Sequence, residues 1–407
     1  MKTGLLGRKL SHSYSPQIHA YLGDYPYTLF EREPEDVEAF VKTGDFTAIN
    51  VTIPYKKTVM PYCRLTDTAK YMGSVNTIVR QRDGSLLGHN TDYFGFTSMV
   101  RKSGLDVSGK KCLVLGSGGA SVTAVAVLKE MGAQVVVVSR NGEDNYSNLH
   151  RHADAAVICN CTPVGMYPHN GVSPVDLDLF PQLEGVLDMI YNPARTQLLM
   201  DAEKRGLIAE NGLWMLVAQA KEASEWFQNR QLPDALISSV YGKMRQQMEN
   251  IILIGMPGCG KSTIGRLLAE KLGKTFVDAD EEVVKVYGMD IPSIFAAEGE
   301  AGFRTKETAV LRELGKRAGL VIATGGGCVT REENYPLLHQ NGSLFWLQRD
   351  PNLLPTEGRP LSQMTRMEDM YHQRKPLYDA FADHCIDNNR TAEAAVADIL
   401  AKWEANV

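Results

Sequence analysis

The 407 residues carry 43 Lys and Arg against 48 Asp and Glu, a formal net charge of −5, with 44% hydrophobic residues. That length calls for two or three folding units, and the composition is that of a soluble globular protein. The weak charge excludes the polybasic class of nucleic-acid and acidic-membrane binders, and no apolar run approaches the roughly 18–20 residues that span a bilayer.

The opening MKTGLLGRKLSHS has no long apolar stretch of the kind that marks export, so a cytoplasmic location is expected. The seven cysteines are scattered without a CxxC pair and read as free thiols of a reducing compartment. Apolar strand-like runs (TAINVTIP, KKCLVLG, AQVVVVS, AAVICN, GVLDMIY, NIILIG, LVIATGG, GSLFWLQ) alternate with helical stretches. That alternation predicts parallel sheets covered by helices, an α/β fold class throughout.

Four polar turns come first: Ser11, Ser13 and Ser15; Asn50, Thr52 and Lys56; Ser74, Asn76 and Thr77; Asn90, Thr91 and Asp92. Hydroxyls and amides at the ends of apolar stretches suit a polyhydroxylated ligand, although capping is the common fate of such residues. A glycine loop, Gly116, Ser117, Gly118, Gly119, Ala120, follows the strand KCLVLG and precedes a helix through Met131. This is where a dinucleotide pyrophosphate sits in a Rossmann unit. The next strand ends at Ser139 and Arg140 with no acidic residue. Arginine there suits a ribose 2′-phosphate, which favours NADP(H) over NAD(H), and a solvated strand end is the alternative. The stretch NGEDNYSNLHRHAD that follows is short and polar, and His150 and His152 within it read as exposed loop residues.

HSxSP, NVTxPxK, VNT, GxNTD, GxGGA, NxTPxGM, DxxYxP and NGLxMLxxQA occur in this order over about residues 4–245, and the ensemble resembles shikimate dehydrogenase. The resemblance implies a catalytic pair, Lys56 and Asp92, and substrate contacts from Ser13, Ser15, Thr52, Asn76, Asp92, Tyr191 and Gln219. It further implies NADP(H) contacts from Gly116, Ser117, Gly118, Gly119, Ala120, Ser139, Arg140, Met189 and Gly212. Relatives fit another helix and strand after Arg140, so a trimmed Rossmann-like domain is expected. The implied division is a substrate-binding α/β domain over 1–95, a Rossmann-like domain over 96–214, and helices within 215–248 returning to the first.

Next comes Gly255-x-x-x-x-Gly260-Lys261-Ser262, between the strand Asn250–Ile254 and a helix, a P-loop in its required context. Gly258, Cys259, Gly260, Lys261, Ser262 and Thr263 offer backbone N–H groups, an ammonium and a magnesium-binding hydroxyl to the phosphates of ATP. Asp278 and Asp280 read as the end of a second strand, on one face at period two. One serves the magnesium shell while the other orients an attacking hydroxyl. Arg304 offers a guanidinium for a carboxylate, and Gly325–Gly327 a bare backbone.

P-loop, D-x-D, F-R-x-x-E, G-G-G, Arg359-Pro-Leu and Arg374-x-Pro-Leu-Tyr resemble shikimate kinase over about residues 250–400. This implies shikimate contacts from Asp280 (also catalytic), Arg304, Gly326 and Arg374, a lid arginine Arg359 on ATP, and Mg2+ at Ser262 and Asp278. The lid is shorter than in many relatives and lacks a second arginine. The implied P-loop α/β/α kinase domain runs over 249–407.

Together the two resemblances imply NADPH reduction of 3-dehydroshikimate to shikimate, then ATP phosphorylation of shikimate at its 3-hydroxyl. Two alternatives stay open for the front half: a non-catalytic metabolite-binding module, or a quinate-type dehydrogenase. The expected partners are these small molecules, with no nucleic acid or membrane, and the sequence carries no reading of oligomeric state.

Overall fold

The structure is a computed structural model that describes residues 1–10, 13–354 and 367–405. The lid segment with Arg359 lies outside the described residues. The chain packs into two compact units. The first comprises Met1–Gly165, Val172–Tyr191 and Leu198–Met244; the second comprises Met166–Gly171, Asn192–Gln197 and Arg245–Val407.

The first unit holds two sheets. One has six strands in the order Tyr27–Glu31, Thr3–Gly7, Ala48–Val51, Thr77–Arg80, Leu86–His89, Arg64–Leu65. It departs from the all-parallel expectation, because Thr77–Arg80 runs antiparallel to both its neighbours. The reason is local: Thr77–Arg80 and Leu86–His89 are joined by a short Asp-Gly turn around Gly84, which has φ 83°, and so tight a connection only permits an antiparallel pair.

The second sheet has five parallel strands in the order Ile208–Glu210, Gly185–Asp188, Val157–Asn160, Lys111–Leu115, Gln134–Val138. Its inner strands are buried on both faces, which is why they read as continuous apolar runs. The helix and strand expected to be missing are absent among the described residues. After Gln134–Val138 the chain makes a loop and a short 3-10 turn at Leu149–His152. Two bonds close that loop: Ser139 N–H to the Asp144 carbonyl at 3.1 Å, and His152 Nε2 to Asp144 Oδ1 at 2.7 Å. His152 is therefore buried, contrary to the exposed position expected; it staples the shortened loop. His150 is exposed.

Two helices, Leu213–Gln228 and Ala235–Met248, follow. The first returns to the N-terminal sheet region, where Ser224 accepts from the Tyr25 hydroxyl (2.7 Å) and Gln228 donates to the Leu22 carbonyl (3.1 Å).

The second unit is built on five parallel strands in the order Thr275–Asp278, Leu320–Ala323, Asn250–Ile254, Gly342–Gln348, His384–Asp387. A single apolar core, including Ile251–Ile254, Val321, Ile322 and Phe345–Leu347, holds the sheet between helices. At the start of this unit Lys274 Nζ donates to the carbonyls of Gln246, Gln247 and Glu249, closing the end of the preceding helix. No helix among the described residues is long and apolar enough to cross a membrane.

Candidate active sites

In the first unit, backbone pairing brings the separated polar turns together. Val75 N–H donates to the Lys56 carbonyl (2.8 Å), Val51 N–H to the Asn76 carbonyl (2.8 Å) and Asn76 N–H to the His89 carbonyl (3.1 Å). Asn90 Oδ1 then accepts Asp92 N–H at 3.0 Å, and the helix Asp92–Ser103 begins. The outcome is an ion pair, Lys56 Nζ to Asp92 Oδ2 at 2.6 Å, with both side chains partly open to solvent.

Beside it lies a hydrogen-bonded chain of polar groups. The Ser15 side chain meets the Tyr27 hydroxyl, which donates to Asn50 Oδ1 at 2.8 Å. Asn50 Nδ2 reaches the Asn76 carbonyl (3.2 Å), Asn76 Nδ2 the Thr91 hydroxyl (3.0 Å), and Thr91 Oγ1 the Gln219 Oε1 (3.4 Å). Ser13 Oγ accepts Ser15 N–H at 3.2 Å, and Thr52 N–H is held by the Leu6 carbonyl at 2.9 Å. The Tyr191 ring meets Tyr14 edge-on, centroids 6.2 Å apart, and burial raises both phenols above their ordinary pKa. Ser15, Asn76 and Gln219 thus share one network, while Lys56 and Asp92 form a second cluster beside it. Tyr27 carries no site role in the sequence reading, and Thr91 only that of its polar turn; the link they make shows once the strands are paired.

The glycine loop opens a cleft of about 570 Å³ lined by Gly116, Ser117, Gly118, Ser139, Arg140, Tyr146, Cys161 and Thr162, among others. Gly116 takes φ 103°, which L side chains resist, and lies against Cys161 and Thr162. The helix Gly119–Glu130 starts without a side-chain cap, and Ser117–Ala120 are exposed, so its first N–H groups are open to an anion. Met189 and Gly212 adjoin: a Cβ on Gly212 would overlap the Met189 carbonyl, and Met189 N–H is held by the Asn160 carbonyl at 3.0 Å. Tyr146, on the shortened loop, is a wall of this cleft that the sequence did not mark.

In the second unit one cavity of about 710 Å³ is lined by Gly258, Gly260, Lys261, Ser262, Thr263, Asp278, Asp280, Arg304, Gly326 and Arg374. Cys259 does not line it; its side chain is buried in the core. Lys261 Nζ donates to the carbonyls of Gly255 (2.9 Å) and Met256 (3.0 Å), and Ser262 Oγ donates to Asp278 Oδ2 at 2.6 Å. Asp278 also N-caps the next helix by accepting Asp280 N–H at 3.0 Å. Asp278 and Asp280 therefore do not share one face of a strand, as period two predicts. Asp280 lies in the helix Ala279–Tyr287, and the cap, not the pleat, turns it to the cavity.

Arg304 pairs with buried Glu307 at 2.7 Å and with Glu300 at 3.3 Å; Arg374 donates to the Gly326 carbonyl at 3.1 Å. Asp280 Oδ1 and Glu307 Oε1 are buried with no hydrogen-bond partner, and both close on Gly325, where a Cβ would collide with each. Burial, with the charges of Glu307 and Asp278, pushes the Asp280 carboxyl up to about 6. Two unpartnered buried acceptors beside two guanidinium groups form a site for a ligand with hydroxyls and a carboxylate. Among the described residues no cluster of three His, Cys, Asp or Glu could hold a metal. A divalent ion held by Ser262 and Asp278 would have to take its other ligands from nucleotide and water oxygens, as Mg2+ ordinarily does.

Comparison with known proteins gives two family matches, the shikimate dehydrogenase substrate binding domain over residues 5–78 and shikimate kinase over residues 257–404. A shikimate dehydrogenase (NADP(+)) of Clostridium beijerinckii is 34% identical over 259 residues, 58% of this chain and 96% of that protein. The crystal structure of shikimate dehydrogenase 1 from Peptoclostridium difficile matches with a TM-score of 0.55 at 36% identity, covering 60% of this chain and 98% of that one. The Thermus thermophilus shikimate 5-dehydrogenase solved with NADP(H) and shikimate matches at a TM-score of 0.55 and 27% identity, covering 60% and 99%.

Proposed function

The chain belongs to the shikimate dehydrogenase family and carries a shikimate kinase domain behind it, and from this we propose a division of labour among the residues described above. It is a bifunctional enzyme: NADPH-dependent reduction of 3-dehydroshikimate to shikimate, then ATP- and Mg2+-dependent phosphorylation of shikimate.

In the reductase, bound NADPH supplies the hydride that reaches the ketone carbon. Lys56 supplies the proton that the ketone oxygen takes up, or stabilises the alkoxide as it forms. Asp92, 2.6 Å away, holds the lysine side chain in place. Ser13, Ser15, Thr52, Asn76, Tyr191 and Gln219 bind the ring's polar groups, and their existing network fixes each donor and acceptor before substrate arrives. Gly116–Ala120 receive the pyrophosphate, Ser139 and Arg140 the 2′-phosphate, and Met189 with Gly212 the nicotinamide end.

In the kinase, ATP supplies the phosphoryl group and Mg2+ neutralises its charge. Lys261 leaves its two carbonyl partners for the phosphates, and Ser262 and Asp278 hold the metal side. Arg304 and Arg374 take the shikimate carboxylate, the Gly326 backbone approaches the ring, and Asp280 accepts a hydroxyl proton. The presence of NADPH and ATP chemistry, with seven free cysteines, favours a cytoplasmic location.

The Lys56–Asp92 pair is the observation that carries the reductase reading, because a binding module has no need of it. The test is shikimate oxidation by NADP+ at alkaline pH in wild type and Lys56→Ala, with ADP release followed separately. Turnover lost only in the variant, with the kinase intact, supports the proposal. A wild type with kinase activity alone makes the front half a binding module.

A further inference from the structure

The cofactor cleft contains a feature that neither reaction uses. Cys159 lies in the buried strand Val157–Asn160, and Cys161, the residue just past its end, lines the cleft, with their sulfurs 3.7 Å apart. Residues two apart in an extended strand point to one face, so the spacing itself puts both thiols on one side. Cys159 is fully buried among Cys112, Val114 and Leu187, whereas Cys161 is half-buried and lines the cleft with Gly116, Ser139 and Arg140. Cys161 is also fixed to the glycine loop: its N–H donates to the Leu115 carbonyl at 2.9 Å, and Gly116 packs against its carbonyl oxygen.

We propose that Cys159 and Cys161 form a redox site inside the dinucleotide cleft, oxidised by peroxides to a disulfide whose formation and NADP(H) binding exclude one another. The inference rests on reading this cleft as the cofactor's.

The two thiols are unequal. The neighbouring Cys161 sulfur and burial hold the proton on Cys159, so Cys159 stays a thiol. Cys161 is the accessible sulfur and reacts first. Its thiolate attacks a peroxide oxygen, the O–O bond breaks, and the products are a sulfenic acid and, after protonation, water or an alcohol. The Cys159 sulfur then attacks that sulfenic sulfur, the S–O bond breaks, and the hydroxyl leaves as water with the Cys159 proton. Two thiols have lost two electrons and two protons in all, and one peroxide has gained them.

The two Cα atoms of such a pair are about 6.6 Å apart at the rise of a strand. That is near the upper limit a disulfide accepts, which makes the bond readily reducible. Closing it draws Cys161 toward the sheet and pulls on Gly116, the residue at which the phosphate loop turns.

The experiment uses the whole chain, treated with hydrogen peroxide with and without NADP+, followed by peptide mass mapping, reductase assay and dithiothreitol. The expected result is a Cys159–Cys161 disulfide, loss of reductase rate in step with it, and recovery on reduction. NADP+ at about ten times its Kd leaves about one site in eleven free and slows the loss about tenfold. Each variant is compared with its own untreated rate. Cys161→Ser keeps its rate under peroxide, and Cys159→Ser, without a resolving thiol, passes to a sulfinic acid that dithiothreitol does not reduce. No such disulfide, inactivation of Cys161→Ser as fast as wild type, or no protection by NADP+ would each overturn the proposal. The untreated reductase rate tests the underlying function independently.

Discussion

Asp92 and Lys56 meet at 2.6 Å although 36 residues separate them. The contact exists because the 74–76 segment is hydrogen-bonded on one side to the Lys56 carbonyl and, through Asn76, on the other to the strand that leads into Asp92. The pair is therefore a product of sheet pairing, and each partner is held by backbone geometry before any ligand binds.

Removing the lysine removes the proton donor and leaves that geometry intact. Lys56→Ala lowers the reductase kcat by about 10²–10⁴ and leaves the kinase rate unchanged. Asp92→Asn lowers kcat as well, with KM for NADPH within about twofold. Steady-state kinetics of both activities on the same preparations check this. An unchanged reductase kcat in Lys56→Ala removes the lysine from the chemistry.

Gly212→Ala places a methyl group on the Met189 carbonyl. The Met189 segment must move, so KM for NADPH rises at least severalfold and the reductase unit loses about 1–3 kcal/mol of stability. Nucleotide titration and urea unfolding test it, and a variant with wild-type KM shows that Met189 and Gly212 take no part in the nicotinamide end.

Asp280→Asn separates function from stability. Because the folded Asp280 carboxyl titrates at about 6, above its ordinary 3.8, the folded state holds the proton more tightly than the unfolded chain. Its contribution is then fully favourable below about pH 4 and is lost as pH rises through 6, a cost on the order of 2–3 kcal/mol at neutral pH. The asparagine variant is accordingly inactive as a kinase yet more stable than wild type at pH 7.5, with the difference shrinking toward pH 4. Thermal unfolding across pH reads it, and a less stable variant at pH 7.5 refutes the sign.

Arg304 and Arg374 both raise KM for shikimate when cut to alanine, but with different stability costs. Arg304→Ala strands the fully buried Glu307 carboxyl and costs about 3–5 kcal/mol. Arg374→Ala loses a bond to the Gly326 carbonyl and costs about 1 kcal/mol. Equal destabilisation by the two contradicts the buried-pair reading.

Much of this was legible in the sequence. The parallel strands are continuous apolar runs because both their faces are buried, and the P-loop announces itself through spacing that backbone phosphate binding demands. What was not legible depended on pairing across distance. The antiparallel strand Thr77–Arg80, the network through Tyr27 and Thr91, and the orphan oxygen of Glu307 have no local signature. Period two fits Asp280 to a strand, but the helix cap at Asp278 competes with that pattern and prevails. The polar neighbours of His152 suggest exposure, whereas its bond to Asp144 depends on how the loop closes.

The central claim is that one chain performs both steps. Its most direct test is to give the purified protein 3-dehydroshikimate, NADPH, ATP and Mg2+ and follow products by mass spectrometry. Shikimate 3-phosphate should accumulate with one NADPH oxidised and one ADP released per product, and no shikimate 3-phosphate should form when NADPH is omitted. A protein that phosphorylates added shikimate but never consumes 3-dehydroshikimate would contradict the account.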